Sequence, residues 1–188
     1  MIIMPLRTGV LVRDYYSEEE LINFLTNQQT KQLQKSGIYR SGDDSIDERV
    51  RNSMQVQVNY DNPFINKLRQ PVSKVNSDYL GINITSVCHE NHFVEYWETG
   101  KFEAHQDVLW PKTILNHDKN PIRKITTVVL LNDEFTGGKL ALWDKSERYS
   151  FEFRPGDIVI CPSYVRHQVD PVESGIRYSL VSWSYGEF

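Results

Sequence analysis

The feature that most constrains this chain is a series of short, β-rich segments that runs from about residue 82 to residue 183. The segments are rich in β-branched and aromatic residues, and the turn signals between them include Gly100, Gly137-Gly138, Pro155-Gly156-Asp157 and Pro162-Ser163. Many short strands at this spacing are typical of a sandwich or barrel of antiparallel strands. The sequence therefore predicts a mainly β fold, a jelly roll with flanking helices. The predicted strands are residues 82–87, 93–97, 125–131, 140–143, 149–153, 158–161 and 178–183.

The first part of the chain has a mixed pattern. Ser17 and Glu20 have the spacing of a capping box, in which each residue satisfies a free backbone amide of the other, so a helix is expected to begin at residue 18. This helix is predicted to span residues 18–35 and to end near Gly37, and a loop is predicted over residues 39–51. A half-buried strand over residues 54–60 and an amphipathic helix over residues 63–80, with a kink at Pro71, are predicted to follow.

The length of the chain bounds its organisation. It has 188 residues, without a repeat, a low-complexity tract or a linker, which is enough for one domain with a substantial core. We therefore predict a single domain over residues 1–188. Within it, residues 1–81 are expected to support a jelly-roll core formed by residues 82–188, and that core is expected to hold the active site.

Composition narrows the partners that the chain is expected to have. A formal net charge of −4 gives no electrostatic reason to expect nucleic acid as a partner, because nucleic-acid binding normally requires a basic patch. No apolar stretch is long enough to span a bilayer, and the start of the chain lacks a secretory pattern, so we expect a cytoplasmic protein without a membrane partner. Cys88 and Cys161 are too few for a disulfide framework. The sequence does not predict the oligomeric state.

Three residues have the types and placement of a metal site. His105 and Asp107 are two apart, so in an extended segment an imidazole and a carboxylate lie on the same face. Taken alone, such a pair is more often an exposed pair joined by a hydrogen bond than part of a metal site. His167, in a second strand-like segment, is by itself more often a structural histidine. Two histidines and one carboxylate on one face of a metal, however, leave open positions, which suits non-haem iron(II) that activates oxygen.

Arg177 and Ser179 alternate onto one face of the last predicted strand. The planar guanidinium of arginine matches a carboxylate through two parallel hydrogen bonds, and a serine hydroxyl can add a third. An arginine that points into a barrel is costly unless it is paired, so an anionic ligand would be its natural partner. An outward-facing surface arginine is the alternative that the sequence leaves open.

Together these elements resemble the iron(II)/2-oxoglutarate dioxygenase superfamily, and specifically its prolyl 4-hydroxylase-like branch. The resemblance covers residues 93–183, and the motifs occur in the order of that branch. The matching segments are Tyr96-x3-Gly100-x-Phe102-x2-His105-x-Asp107, Arg123-x2-Thr126, Phe135-x-Gly137-Gly138-x-Leu140, Pro155-Gly156-Asp157 with Pro162-Ser163, and His167-x-Val169-x-Pro171-Val172.

The resemblance implies a cupin-like, double-stranded β-helix in which His105, Asp107 and His167 bind iron(II). It also implies that Arg177 pairs with the distal carboxylate of 2-oxoglutarate and that Ser179 assists. The implied reaction uses O2 to decarboxylate 2-oxoglutarate to succinate while it hydroxylates a C–H bond, most directly of a prolyl or other residue in a peptide or protein. A role for ascorbate as reductant is left open.

Four further positions take roles from the resemblance. Tyr96 stands where the branch has a tyrosine that hydrogen-bonds the cosubstrate, and Trp183 where an aromatic lines the same pocket, although both also fit as core aromatics. Phe102 occupies a substrate-side position that is often tyrosine. Arg123 matches a substrate-side arginine, with a salt-bridged surface arginine as the alternative. Residues 108–121 are expected to form a loop beside the metal that sets specificity.

Two alternatives to a peptidyl hydroxylase remain open. Phe102 lacks the hydroxyl that the branch often has at this substrate-side position, so a free amino acid or another small molecule is the alternative substrate. A cupin-like domain that binds metal or ligand without turnover is the non-enzymatic alternative. The group Cys88, His89 and His92 looks like a metal cluster, but its spacing matches no complete site, so we expect a strand-end loop there.

Overall fold

The computed structural model describes residues 2–40, 43–108 and 121–187, and these residues form mainly β-strands. Helix α1 is Glu18–Gln29 and helix α2 is Pro63–Val75, which continues into a π-helical turn, Asn76–Leu80. The strands are β1 Ile2–Pro5, β2 Val10–Arg13, β3 Gln34–Lys35, β4 Ile38–Arg40, β5 Asp43–Ser45, β6 Arg51–Asn52, β7 Met54–Gln57, β8 Ser86–Tyr96, β9 Lys101–His105, β10 Ile122–Leu130, β11 Phe135–Gly137, β12 Leu140–Asp144, β13 Glu147–Ser150, β14 Ile158–Pro162, β15 His167–Val169, β16 Val172–Gly175 and β17 Arg177–Gly186.

Two sheets dominate the described part of the chain. The larger sheet has eight strands in the order β1-β2-β14-β10-β17-β8-β7-β3, and the smaller has five in the order β13-β12-β15-β9-β6. Two two-stranded sheets, β4 with β5 and β11 with β16, complete the described strands. Neighbouring strands in both sheets are antiparallel, as in a jelly roll.

Alternation along the strands of the larger sheet produces a hydrophobic core on each of its faces. In β14, Ile158 and Ile160 belong to one core while Val159 and Cys161 belong to the other, because successive side chains of a strand point to opposite faces. The first core is completed by apolar residues of α1 and α2, so the helices cover the outer face. The second core includes residues of the smaller sheet and therefore lies between the sheets; from that sheet it takes Leu140, Leu142 and Val169.

The prediction of a mainly β fold with helices on its outside is confirmed. The capping box is also confirmed, since the Ser17 hydroxyl accepts from the Glu20 amide at 3.3 Å and the Glu20 carboxylate accepts from the Ser17 amide at 2.9 Å. The division at residue 81 stays a prediction, and strands from both sides of it share the larger sheet: β2 pairs with β14, and β7 pairs with β8. Among the described residues, no helix combines the length and the apolar character that crossing a membrane requires.

Three local predictions are wrong in detail, each because tertiary strand pairing overrides the local pattern. Helix α1 ends at Gln29 rather than residue 35, because Gln34–Lys35 pairs with β7. Part of the segment predicted as a loop forms strands, since β4 pairs with β5, and β6 pairs with β9. The two strands predicted at 82–87 and 93–97 are one strand, β8, whose polar middle is held by continuous pairing with β17.

Candidate active site

Strand pairing brings three potential metal ligands together between the sheets. His105 ends β9 and His167 begins β15, and the two are direct partners in the register of these strands. Asp107 follows two residues after His105 and is buried. Its Oδ1 lies 3.4 Å from Nε2 of His105 and its Oδ2 lies 3.3 Å from Nε2 of His167. Within the described ranges, these three residues are the only group of three or more His, Cys, Asp or Glu side chains whose ligand atoms converge, all within 4.8 Å.

Backbone carbonyls orient both imidazoles. Nδ1 of His105 donates to the carbonyl oxygen of Glu103 at 2.7 Å, and Nδ1 of His167 donates to the carbonyl oxygen of Val165 at 2.9 Å. A carbonyl oxygen can only accept, so each Nδ1 carries the proton and each Nε2 presents its lone pair to the carboxylate side. Such contacts fix the tautomer and the ring direction of metal-binding histidines.

Three groups fix the side chain and backbone of Asp107. The hydroxyl of Thr126 and the indole Nε1 of Trp183 both donate to its Oδ2 at 2.9 Å. The amide of Asp107 donates to the carbonyl of Ser163 at 2.9 Å. Oδ2 therefore has two donors in place, which leaves Oδ1 as the less engaged oxygen beside His105.

The electrostatics of the group favour the protonation states of metal ligands. Burial disfavours ionisation of Asp107, but His167 and His105 outweigh it and hold the pKa of the carboxyl well below its usual range. Burial also lowers the pKa of His105, with His167 adding to the effect. For His167, burial acts downward but Asp107 outweighs it, so the pKa of His167 is raised and a positive charge at its Nε2 is favoured. A bound cation would meet that demand in place of a proton.

One cavity of about 900 Å³ contains the ligand group and extends between the sheets. All the residues that the sequence singled out for the metal, the cosubstrate and the substrate line this cavity, together with residues from β6 and β7. They are His105, Asp107, His167, Arg177, Tyr96, Ser179, Trp183, Phe102 and Arg123.

Arg177 is the buried cation of this cavity. It is 1% exposed, and its Nη1 donates to the hydroxyl of Ser179 at 3.0 Å, as expected for two residues on one face of β17. Its Nε and Nη2 have no hydrogen-bond partner among the described residues. Burial lowers the pKa of Arg177 to about 10, with Tyr96 acting in the opposite direction, so the guanidinium stays charged at neutral pH. A buried charge with free donors requires an anion to compensate it.

The aromatic residues of the cavity divide between its two ends. The guanidinium carbon of Arg177 lies 5.5 Å from the ring centroid of Tyr96, which is buried and pairs with Arg177 across strands β8 and β17. Phe102 stacks on His105, with ring centroids 3.5 Å apart. Trp183, predicted to line the cosubstrate pocket, is a cavity residue whose indole is committed to Asp107. Tyr96 thus lies at the Arg177 end of the cavity and Phe102 at the metal end.

Arg123 lines the cavity but already has an acidic partner. Its Nη2 lies 2.7 Å from Oε1 of Glu90, its Nε also donates to Glu90, and the Tyr185 hydroxyl donates to the same carboxylate. The guanidinium carbon lies 3.8 Å from the ring centroid of Trp183. Although burial acts the other way, Glu90 raises the pKa of Arg123, consistent with a charge-matched pair. A contact of Arg123 with substrate stays a prediction.

Residues outside this group do not form a second metal site in the described part of the chain. Nδ1 of His89 lies 3.2 Å from the Ser86 hydroxyl, and Nε2 of His92 lies 3.3 Å from Glu90, while Cys88 is fully buried. The expected specificity loop over residues 108–121 falls almost wholly on residues 109–120, outside the described residues.

Sequence reasoning gave no role to two residues that contact Asp107 here. Thr126 and Ser163 were recognised only as parts of motifs, and their hydroxyls lie 3.0 Å apart. The signal available in the sequence is a hydroxyl residue inside a predicted core strand for Thr126 and shortly after one for Ser163. Both are buried, at 1% and 0% exposure, so their hydroxyls need partners inside the protein.

The donor set can be tested against the metal and cosubstrate that it suggests. Two neutral imidazoles and one carboxylate are the ligands of a facial site for non-haem iron(II). The unpartnered Nε and Nη2 of Arg177 fit one end of a dicarboxylate. A family model described as the 2OG-Fe(II) oxygenase superfamily matches residues 91–185, which is half of the chain and includes every one of these groups. The chain belongs to the 2OG-Fe(II) oxygenase superfamily. The metal, cosubstrate and oxidant of this family are Fe(II), 2-oxoglutarate and O2.

Curated relatives of this oxygenase chain are PKHD-type hydroxylases from bacteria. One from Cupriavidus pinatubonensis is 27% identical over 111 residues, which is 57% of this chain and 48% of that protein. One from Idiomarina loihiensis is 38% identical over 50 residues, which is 27% of this chain and 23% of that protein. The matched part of the chain thus spans between about a quarter and a half of the length of these relatives.

Solved structures of prolyl hydroxylases share the fold of this oxygenase chain. A prolyl-4-hydroxylase from Pseudomonas putida superposes with a TM-score of 0.71 at 18% identity, covering 95% of this chain and 93% of that one. A prolyl hydroxylase from Trichoplax adhaerens, in complex with a peptide fragment of a hypoxia inducible factor, gives 0.69 at 16% identity, covering 95% and 84%. These similarities confirm the predicted double-stranded β-helix.

Proposed function

We propose that this chain is an Fe(II)- and 2-oxoglutarate-dependent hydroxylase that acts on a C–H bond of a residue in a peptide or protein, with a prolyl residue as the leading candidate. The observation that carries this proposal is the presence of His105, Asp107 and His167 in one cavity with Arg177, whose buried guanidinium has two nitrogens without a partner among the described residues. A metal site alone would not need such a cation, and a buried arginine alone would not need the metal ligands.

Each residue of the group has a distinct task in this proposal. The two histidines and Asp107 hold iron, and Thr126 and Trp183 hold Oδ2 of that carboxylate in a fixed direction. Arg177 binds the distal carboxylate of 2-oxoglutarate through Nε and Nη2, because Ser179 occupies its Nη1. When bound, iron and 2-oxoglutarate supply the activation of O2, with succinate and carbon dioxide as the products of the cosubstrate.

Tyr96 closes the cosubstrate end of the cavity in this proposal. Its ring is 2% exposed and packs over the Arg177 guanidinium, so it excludes water from the ion pair that the carboxylate would form. Exclusion of water strengthens such a charge-assisted hydrogen bond. At the metal end, Phe102 covers one face of His105 and leaves the ring without freedom to rotate.

The substrate assignment is supported by the proteins that this chain resembles. PKHD-type hydroxylases are its curated relatives, and prolyl hydroxylases share its fold, one of them with a peptide bound. A free amino acid or another small molecule is the second candidate, favoured by the apolar ring of Phe102 at a substrate-side position. A cupin-like domain that binds ligand without turnover is disfavoured, because it has no use for the free nitrogens of Arg177 beside the metal ligands.

A spectroscopic titration tests the cofactor assignment without a substrate. Fe(II) and 2-oxoglutarate added in the absence of oxygen should produce the weak visible charge-transfer band of the chelate. The band should be lost in His167→Ala and should require more 2-oxoglutarate in Arg177→Met. A wild-type protein without the band, or a His167→Ala protein that keeps it unchanged, contradicts the proposal.

A turnover screen then tests the substrate class. Succinate release should be stimulated by proline-containing peptides with blocked termini and not by free amino acids. Stimulation by free amino acids alone would replace the peptidyl assignment by the second candidate while leaving the cofactor assignment intact.

A further inference from the structure

A second arginine faces the cavity from the strand next to the metal ligands. Arg51 lies on β6, directly opposite Phe102 of β9, and lines the same cavity. Its guanidinium carbon is 4.6 Å from the ring centroid of Phe102, whose other neighbour is the imidazole of His105 at 3.5 Å. A single aromatic ring therefore separates this cation from a residue of the metal group.

The hydrogen bonds of Arg51 leave its charge unbalanced. Nε donates to the Ser53 hydroxyl at 3.2 Å, Nη1 to the Gly37 carbonyl at 3.1 Å, and Nη2 to the amide oxygen of Gln55 at 3.0 Å. All three acceptors are neutral, and so is the Tyr96 hydroxyl, which also interacts with the guanidinium. A guanidinium has five N–H groups, so one remains without a partner. No carboxylate of the described residues lies within ion-pair distance of Arg51. Burial is the main influence on the group and lowers the pKa of Arg51.

The other cations of the cavity wall are accounted for. Lys35 pairs with Glu48, and Arg123 pairs with Glu90. Arg177 is assigned to the distal carboxylate of the cosubstrate under the proposed function. Among the cations that line the described cavity, Arg51 is then the one without a carboxylate in ion-pair contact, and Asp107 acts on its charge only through space.

We infer that Arg51 selects a substrate that carries a carboxylate near the carbon to be hydroxylated. This inference rests on the proposed function and specifies its substrate further. A carboxylate can accept a charge-assisted hydrogen bond from the remaining N–H of Arg51 and can balance its charge. The same chemistry is offered by an aspartate or glutamate side chain of a peptide and by the α-carboxylate of a free amino acid.

The contact with Phe102 explains how Arg51 would be held for this task. A guanidinium that lies over an aromatic ring and makes three hydrogen bonds to Ser53, Gly37 and Gln55 has lost most of its side-chain freedom before a substrate arrives. Binding a carboxylate then costs little further ordering. A lysine at this position would keep the charge without these three hydrogen bonds.

The test compares matched acid and amide probes in the wild-type enzyme loaded with Fe(II) and 2-oxoglutarate. One pair is a pool of randomised peptides with blocked termini that contain aspartate or glutamate, and the same pool with asparagine or glutamine instead. The other pair is a mixture of free amino acids and the corresponding amino-acid amides. In one of the two pairs, the acid form should stimulate succinate release at least about tenfold more than the amide form. The pair that shows the preference identifies the source of the carboxylate.

Variants assign the preference to Arg51. Arg51→Gln should reduce the ratio of acid to amide stimulation to about one, and Arg51→Lys should keep part of it. Lys35→Gln, which removes a paired cation of the same cavity wall, should keep the wild-type ratio. Thermal melting and the anaerobic charge-transfer band verify that each variant is folded and binds the cosubstrate.

Three outcomes would overturn the inference. The first is a wild-type enzyme that shows the charge-transfer band but is stimulated no more by either acid form than by its amide. The second is an acid preference that survives in Arg51→Gln. The third is a rise in the KM for 2-oxoglutarate in Arg51→Gln with an unchanged preference, which would assign Arg51 to the cosubstrate. A wild-type protein without the charge-transfer band would instead contradict the proposed function.

Discussion

The indole Nε1 of Trp183 donates a hydrogen bond to Oδ2 of Asp107 at 2.9 Å. The hydroxyl of Thr126, which is the partner of Trp183 in the neighbouring strand, donates to the same oxygen. Thr126 of β10 and Trp183 of β17 thus both donate a hydrogen bond to one oxygen of the carboxylate. Outer hydrogen bonds of this kind orient a metal ligand, and their loss typically costs 10–100-fold in metal affinity. Trp183 thus contacts a proposed metal ligand directly, and it also lines the cavity that contains Arg177.

Replacing Trp183 by phenylalanine should therefore weaken metal binding. We expect the Kd for Fe(II), or for Mn(II) as an inert substitute, to rise by about 10-fold or more, because Oδ2 loses one of its two side-chain donors. Anaerobic calorimetric titration measures the change. Trp97→Phe is the control, since the Trp97 indole is 54% exposed and donates to Glu95 instead. Equal affinities in wild type and Trp183→Phe would contradict this role.

Arg177→Met should stabilise the protein without ligand and weaken its response to 2-oxoglutarate. The guanidinium is buried and two of its nitrogens lack partners among the described residues, so an apolar side chain of similar shape removes an uncompensated charge. Replacements of this type stabilise by about 1–4 kcal/mol. Urea unfolding gives the free energy of unfolding, and melting with Mn(II) and 2-oxoglutarate gives the ligand response.

The control for this prediction is Arg166→Met. Arg166 is exposed and lies 5.0 Å over the ring of Trp143, away from the cavity, so its replacement should change stability by less than about 0.5 kcal/mol. A marked loss of stability in Arg177→Met would mean that the arginine stabilises the fold and is not held there at a cost for a ligand.

The three proposed metal ligands and Arg177 were predictable because their chemistry restricts them to few residue types at fixed spacings. His105 and Asp107 share a face by strand alternation, and Arg177 and Ser179 do so in β17. What the sequence could not predict depends on register. Trp183 reaches Asp107 because β17 pairs with β10 so that Trp183 stands opposite Thr126.

The sequence could not predict the position of Arg51 in the cavity for a related reason. Its segment is polar and contains glycine and several acids, a pattern that favours a loop. Only the pairing of β6 with β9 places it opposite Phe102. The same long-range pairing ended α1 at Gln29 and joined two predicted strands into β8. Local patterns thus predicted the two helices and the core strands, whereas strand partners decided where these elements end and formed strands within a predicted loop.

Gly138→Ala should raise the KM for 2-oxoglutarate by disturbing Arg177. Gly138 has φ +55°, and a Cβ there would lie 3.0 Å from Cδ of Arg177 and 3.1 Å from Cγ2 of Val172. Both the backbone conformation and the contact oppose a side chain, so we expect a loss of more than about 1 kcal/mol of stability and a several-fold higher KM. Steady-state succinate release and urea unfolding measure the two effects.

Gly81→Ala separates the effect of the backbone conformation from the effect of the contact with Arg177. Gly81 has φ +61°, but a Cβ there would meet nothing within 4 Å, so its replacement carries the backbone cost alone. It should lower stability by about 1–2 kcal/mol with an unchanged KM. If both alanine variants left the KM for 2-oxoglutarate unchanged, the contact between Gly138 and Arg177 would have no bearing on cosubstrate binding.

The thiol of Cys88 should make the protein less stable at high pH. Burial raises its pKa from the ordinary 9.0 to about 11, so the native state retains this proton after the unfolded state has lost it. The stabilisation is fully present below the unfolded pKa and is lost as the pH rises through the folded pKa, at up to about 1.4 kcal/mol per pH unit. Urea unfolding of wild type and Cys88→Ala across that interval should show a steeper decline for wild type. Other buried groups such as Cys161 are present in both proteins, so their effects cancel in the comparison. Equal declines in wild type and Cys88→Ala would mean that the Cys88 thiol ionises equally in the folded and unfolded states.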